Sequence, residues 1–135
     1  MMDLIAIRDY VPDDENFVFS TTLAGLYYGD SWFSKIVKAR FIHHYRQILK
    51  GILSKPTTQV RVACIKDDPN EIKGFSILVN NGQALMWVFV KKDWRKKGIA
   101  KALVPDTITE VTNLTALGEI LIKKYPKLTF NPFTS

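Results

Sequence analysis

Between residues 59 and 90 the apolar pattern changes period, and that change decides what kind of domain this chain forms. In Gln59–Ile65, Val60, Val62 and Cys64 fall on one face, the two-residue period of a half-buried strand. Asp67, Asp68, Pro69 and Asn70 read as a turn, and Ile72–Val79 as the next strand. Asn80-Asn81-Gly82 is a hairpin signal ahead of Ala84–Val90. Three strands joined by two turns predict an antiparallel meander. Before it the period is helical. Phe33, Ile36, Val37, Phe41, Tyr45, Ile48, Leu49 and Ile52 recur at three- and four-residue spacing, which predicts an amphipathic helix of about 20 residues, capped at Ser31 and ending near Pro56. His44 shares that apolar stripe and is expected to be a core residue, as is Cys64. Leu4–Arg8 reads as a short strand, and a first helix runs from Pro12 to Tyr27 with Gly29 as its stop.

Downstream, Gly98–Val104 is a short helix stopped by Pro105, and Thr107–Thr112 is a strand. Thr115–Tyr125 is a helix and Leu128–Phe130 a last strand. The expected order is β-α-α-β-β-β-α-β-α-β. This is an α/β (α+β) class, with a mixed, mainly antiparallel central sheet flanked by helices in a single domain over 1–135. A chain of 135 residues buries a real core without disulfides or metal. The single cysteine and two adjacent histidines make no metal-ligand pattern. No apolar stretch reaches the roughly 20 residues that span a bilayer. The start lacks the basic segment and small-residue cleavage site of a secretory leader, so a cytoplasmic protein with no membrane partner is expected. The net charge of +6 favours anionic partners. The charge is concentrated: Lys91, Lys92, Arg95, Lys96, Lys97 and Lys101 face one acid, Asp93, in the same stretch.

That basic stretch follows an apolar strand and contains one glycine before a helical pattern. A strand feeding such a turn is a way to hold phosphate, because the first-turn N–H groups are free and the positive helix end points at the anion. Val90-Lys-Lys-Asp-Trp94-Arg95-Lys-Lys-Gly98-Ile-Ala100 resembles motif A of the GNAT superfamily of acyl-CoA N-acyltransferases. The family pattern is Val-x-Pro-x-aromatic-Arg-x-x-Gly-x-Gly/Ala between a fourth strand and a third helix, and Lys92 stands where proline is usual. The element order around the motif matches that family along nearly the whole chain.

The resemblance implies a GNAT fold that takes acetyl-CoA, or another acyl-CoA, as co-substrate. The amides of Lys96 to Lys101, Ile99 among them, would hold the pyrophosphate, with Gly98 admitting close approach and Ala100 keeping the next position small. Arg95, Lys96, Lys97 and Lys101 would add charge-assisted contacts. Main-chain groups of Val88 and Val90 would pair with pantetheine, and an amide near Phe89 would polarise the thioester carbonyl. Asn113 falls where the family often touches CoA; as an alternative it forms an Asx turn or cap.

Tyr125-Pro-Lys127-Leu128-Thr-Phe130 resembles the family's Tyr-x-Lys-Leu-Gly-Phe segment, whose tyrosine can protonate the departing thiolate. Thr129 replaces the glycine, and the spacing from Asn113 is longer by about a helical turn. On the alternative alignment Ile120 takes that place and no acid stands there. The strand before the motif contains no acid to act as base. Tyr27, Tyr28 and Trp32, flanking Asp30, are candidates for the pocket of an amine acceptor, either a small molecule or a protein. The chain ends without the family's usual C-terminal hairpin, which leaves an open acceptor side or calls on a second copy in a homodimer. The expected activity is N-acyl transfer by direct attack in a ternary complex. Two rivals stand beside it: a GNAT-fold binding or assembly module without catalysis, and a nucleic-acid binder using residues 91–101, whose affinity would fall steeply with salt.

Overall fold

Asn80, Asn81 and Gly82 take positive φ angles of 55°, 57° and 83°, the left-handed backbone that these residue types tolerate best. The turn they make folds two long strands back on each other. In the computed structural model, which describes residues 2–113 and 116–134, these are β3 (Asp68–Val79) and β4 (Ala84–Val90). Before them come β1 (Ile5–Asp9), α1 (Glu15–Gly29), α2 (Lys38–Leu53) and β2 (Gln59–Ile65). After them come α3 (Ile99–Leu103), β5 (Glu110–Val111), α4 (Ala116–Lys124) and β6 (Thr129–Phe130). The order is the expected one. The strands form one six-stranded sheet in chain order. β1 to β4 are antiparallel neighbours. β4–β5 and β5–β6 are parallel, because a helix intervenes in each connection.

Both faces of the sheet are covered. On one, Val18, Phe19 and Leu23 of α1 and Leu49 of α2 pack on Val62, Phe75, Ile77 and Met86. On the other, Ile99 and Leu103 of α3 meet Ile5, Ala63 and Val90, while Leu121 and Ile122 of α4 border Leu78, Leu85 and Val111. Each large apolar side chain so buried contributes about 1.5–3 kcal/mol. Arg8 ties the start of α1 to the sheet. Its two terminal nitrogens donate to the two carboxylate oxygens of Asp14 at 2.8 and 2.9 Å, and it also donates to the Pro69 carbonyl. Asp14 Oδ2 accepts the Val11 N–H as well.

Several expectations need correction. The second helix begins at Lys38 rather than near Ser31. Asp30 Oδ1 accepts the N–H groups of Trp32 and Phe33 and turns Phe33–Lys35 into a short 3-10 segment, with Phe33 packed on Phe41 and Tyr45. His44 is exposed, because the apolar face of α2 is set by Phe41, Ile42, Tyr45 and Leu49. The turn after β2 falls at Lys66 and Asp67, so β3 starts earlier than Ile72. The fifth strand shrinks to Glu110–Val111. Cys64 is buried, as expected.

Thr22 is fully buried on α1, and its hydroxyl has no hydrogen-bond partner among the described residues; the Trp87 indole N–H is in the same position. An unsatisfied buried hydroxyl costs about 1–3 kcal/mol, and Thr and Val have nearly the same helix propensity. Thr22→Val is therefore expected to stabilise the fold by about 1 kcal/mol, read as a higher urea midpoint at unchanged slope. A lower midpoint would mean that the hydroxyl is satisfied in solution.

Candidate functional site

β4 is paired along its length on one side only. The register sets Ile77 against Trp87, Phe75 against Phe89 and Gly74 against Val90, and Lys91 N–H donates to the Lys73 carbonyl at 2.8 Å. In an antiparallel ladder the direction of the main-chain groups alternates. Residues 87, 89 and 91 thus face β3, while Val88 and Val90 turn their N–H and C=O groups away from it. On that side β5 pairs with β4 only at Ala84↔Glu110 and Leu85↔Val111, with one further bond from Thr112 N–H to the Leu85 carbonyl. Beyond Leu85 the two strands part.

A β-bulge marks the fork. Ile77 pairs with Trp87 and Leu78 with Leu85, leaving Met86 as the extra residue. The bulge overturns the simple alternation of Met86, Val88 and Val90 on one face. Met86 joins the core under α1, while Val88 and Val90 pack toward α3. Asn113 holds the fork: its side-chain nitrogen donates to the Met86 carbonyl at 3.2 Å and to Thr112 Oγ1 at 3.1 Å.

The basic turn closes one end of the gap. Lys96 has φ 62° and Gly98 has φ 86°. Left-handed residues in such a turn gather neighbouring N–H groups into a concave donor set. Glycine takes this conformation freely, whereas a lysine there carries strain of about 1–2 kcal/mol. Only five residues follow as α3, so the local N–H groups, and not a macrodipole, are the available donors. They precede the first helical bond, from Ala102 N–H to the Gly98 carbonyl at 3.1 Å. Buried Ile99 and Leu103 anchor this helix, and Ser76 Oγ donates to the Leu103 carbonyl at 2.8 Å. Arg95 Nε donates to the Val90 carbonyl at 2.9 Å, fixing the turn to the open edge of β4. Among the described residues, no carboxylate pairs with Lys96, Lys97 or Lys101.

Between the open edge and this turn lies a cavity of about 620 Å³. Nine of the eleven residues expected to hold CoA line it: Val88, Phe89, Val90, Arg95, Lys96, Gly98, Ile99, Ala100 and Lys101. Since the Phe89 amide faces β3, the open amides beside the gap are those of Val88 and Val90. Lys97 is exposed and outside the lining. Asn113 lines a second cavity of about 200 Å³, which shares Gly25, Trp87 and Val88 with the first.

Gly25 and Trp87 were not foreseen as wall residues. A Cβ at Gly25 would stand 2.3 Å from the Trp87 ring, so the glycine lets the indole lie flush against α1. A glycine inside a helix, costing about 1 kcal/mol against alanine, was the available signal.

The other expected site residues lie elsewhere. Tyr125 closes α4 with its side chain partly exposed and lines neither cavity, because the face of α4 toward the gap carries Gly118 and Leu121. Tyr27 is buried against Phe41 and donates its hydroxyl to the Ile36 carbonyl at 2.7 Å. Tyr28 and Trp32 are exposed and line neither cavity. Among the described residues, neither lining contains Asp, Glu, His, Cys or Tyr. Among the described residues no cluster of metal-ligating side chains occurs, and no helix is long and apolar enough to cross a membrane.

No family model and no curated protein sequence matches the chain. Solved structures do match. A candidate acetyl transferase from Pyrococcus furiosus superposes with TM-score 0.60 at 14% identity, over 94% of this chain and 81% of that one. Apo YjaB from Escherichia coli gives 0.54 at 20% identity, over 90% and 79%. An aminoglycoside acetyltransferase, meta-AAC0020, from an uncultured soil metagenomic sample, solved with trehalose, gives 0.50 at 18%, over 92% and 86%. At these identities the likeness is one of fold, and the fold is that of the GNAT acetyltransferases.

Proposed function

We propose that this GNAT-fold chain binds acetyl-CoA or another acyl-CoA and transfers its acyl group to an amine. The observation that carries the reading is the fork between β4 and β5. It exposes main-chain groups of Val88 and Val90 in line with a turn of converging N–H groups and unpaired cations. That donor set fits a long ligand with an amide-bearing arm and a phosphorylated end. The arm lies along β4 as an additional strand would, hydrogen-bonded to Val88 and Val90. The phosphates sit on the turn at Lys96–Lys101, where N–H donors and lysine charge reinforce each other.

In the reaction the amine nitrogen bonds to the thioester carbonyl carbon, the C–S bond breaks and the CoA thiol leaves. The chain's part is to hold the donor in register and to direct an open β4 amide at the carbonyl oxygen, where negative charge develops. No carboxylate, histidine, cysteine or tyrosine stands among the described lining residues to take the amine proton, so water receives it and the acceptor reacts as the free amine. The acceptor is an amine-bearing small molecule or protein.

Calorimetry with acetyl-CoA tests the binding half of this reading; no heat of binding at tens of micromolar would overturn it. A pH series tests the chemistry. With no carboxylate, histidine, cysteine or tyrosine among the described lining residues, kcat/KM is expected to rise tenfold per pH unit up to the acceptor amine's own pKa and then level off. The break should move when an acceptor of different basicity is used. A break fixed at one pH for every acceptor would reveal an enzyme base and reject solvent as the proton acceptor. The lack of a carboxylate, histidine, cysteine or tyrosine among the described lining residues also favours a second reading, a scaffold that binds acyl-CoA without turning it over. Binding with no thiol release across an amine panel would select it.

A further inference from the structure

We infer that the smaller cavity is an acyl-chain pocket and that the preferred donor carries an apolar chain of about four to six carbons. This rests on the reading of the larger cavity as the CoA cleft. The two cavities share the walls Gly25, Trp87 and Val88. A donor anchored at Lys96–Lys101 and lying along Val90 and Val88 therefore presents its thioester end at the entrance to the smaller cavity.

The chemistry of that cavity is one-sided. Leu85, Met86, Val111 and Leu121 supply its apolar walls, Asn113 is its polar member, and no charged residue among those described lines it. The Asn113 side-chain nitrogen is already engaged with Met86 and Thr112. Three glycines border it: Gly25, which admits the Trp87 ring, and Gly29, four apart on one face of α1, with Gly118 on α4. A volume of about 200 Å³ exceeds the roughly 150 Å³ in which an apolar cavity holds a benzene ring. An acetyl methyl alone would leave most of it empty, and unfilled apolar space forfeits contacts that a longer chain regains. An amine acceptor is a poor occupant, since it arrives largely as a cation and these walls offer nothing to solvate a charge.

The test is a calorimetric series on the unaltered protein with CoA, acetyl-CoA, butanoyl-CoA and hexanoyl-CoA. Burial of each methylene is worth about fourfold in affinity. Hexanoyl-CoA is therefore expected to bind more than about tenfold tighter than acetyl-CoA, with butanoyl-CoA between them. Kd values for the three acyl donors within threefold of one another, with CoA still bound, would overturn the acyl pocket and leave the CoA cleft standing. No binding by any of the four would overturn the cleft itself. Gly29→Leu adds a side chain to the wall of the small cavity and is expected to remove the hexanoyl advantage. Retention of the full advantage in that variant would put the chain elsewhere and overturn the assignment.

Discussion

Gly98→Val is expected to weaken acetyl-CoA binding about thirtyfold, measured by calorimetry. Gly98 sits at φ 86° and ψ 2°, a region where a β-branched residue is a steric outlier. Holding such a residue there costs about 2 kcal/mol. The chain escapes that cost by moving the turn, and then the N–H groups at Ile99 and Ala100 no longer converge. Because Ile99 and Leu103 stay buried under the sheet, the overall fold should survive, with circular dichroism unchanged and only a small drop in melting temperature. Affinity within threefold of the parent in a folded variant would show that this turn does not carry the phosphates. Charge removal at the exposed Lys97 is the useful contrast. Its side chain lies outside the cavity lining, so Lys97→Ala should change affinity far less than Gly98→Val.

Asp14→Ala is expected to destabilise the protein by about 3 kcal/mol, read from urea unfolding. The Asp14 side chain is only 5% exposed and that of Arg8 21%, and the substitution leaves the largely buried Arg8 guanidinium without its bidentate partner. It also frees the Val11 N–H that Asp14 accepts. Arg8→Lys should recover little, since an ammonium cannot reproduce the two parallel bonds. The same pair fixes the sign of a pH effect. The hydrogen bonds from Arg8 hold the Asp14 carboxyl below the usual carboxylate range, against the opposing effect of burial. A lowered folded-state pKa means stability that is fully present above about pH 4, the unfolded value, and is lost as pH falls through the folded-state value. Asp14→Ala should therefore flatten the acid limb of the stability curve. An unchanged limb would assign acid sensitivity to other carboxylates.

Element order was legible in the sequence because each signal was local. The two-residue period of Gln59–Ile65, the Asn80-Asn81-Gly82 turn and the basic run ending at Gly98 all depend on neighbours in the chain. The turn that builds the cleft was found for the same reason. The bulge at Met86 was not, because every residue of Ala84–Val90 is apolar and alternation leaves no trace in such a run. The start of α2 was misread because Asp30 caps a 3-10 segment whose aromatic residues continue the helical spacing. The walls contributed by Gly25 and Gly29 needed a partner, Trp87, far along the chain. Tyr125 was sought through a short pattern whose spacing ran about a turn too long, and α4 ends before bringing it to the gap.

Strand order in this sheet also has a bearing on how the molecule is made. Each strand lies beside its predecessor in the chain, so the sheet can grow in the order in which the ribosome delivers it. β2, β3 and β4 close through two short hairpins, the kind of local pairing that forms fastest. β5 and β6 each arrive later, after a helical crossover. The half of the cleft formed by the open edge of β4 and the turn at Lys96–Gly98 thus precedes its opposite wall, β5 and α4, in chain order.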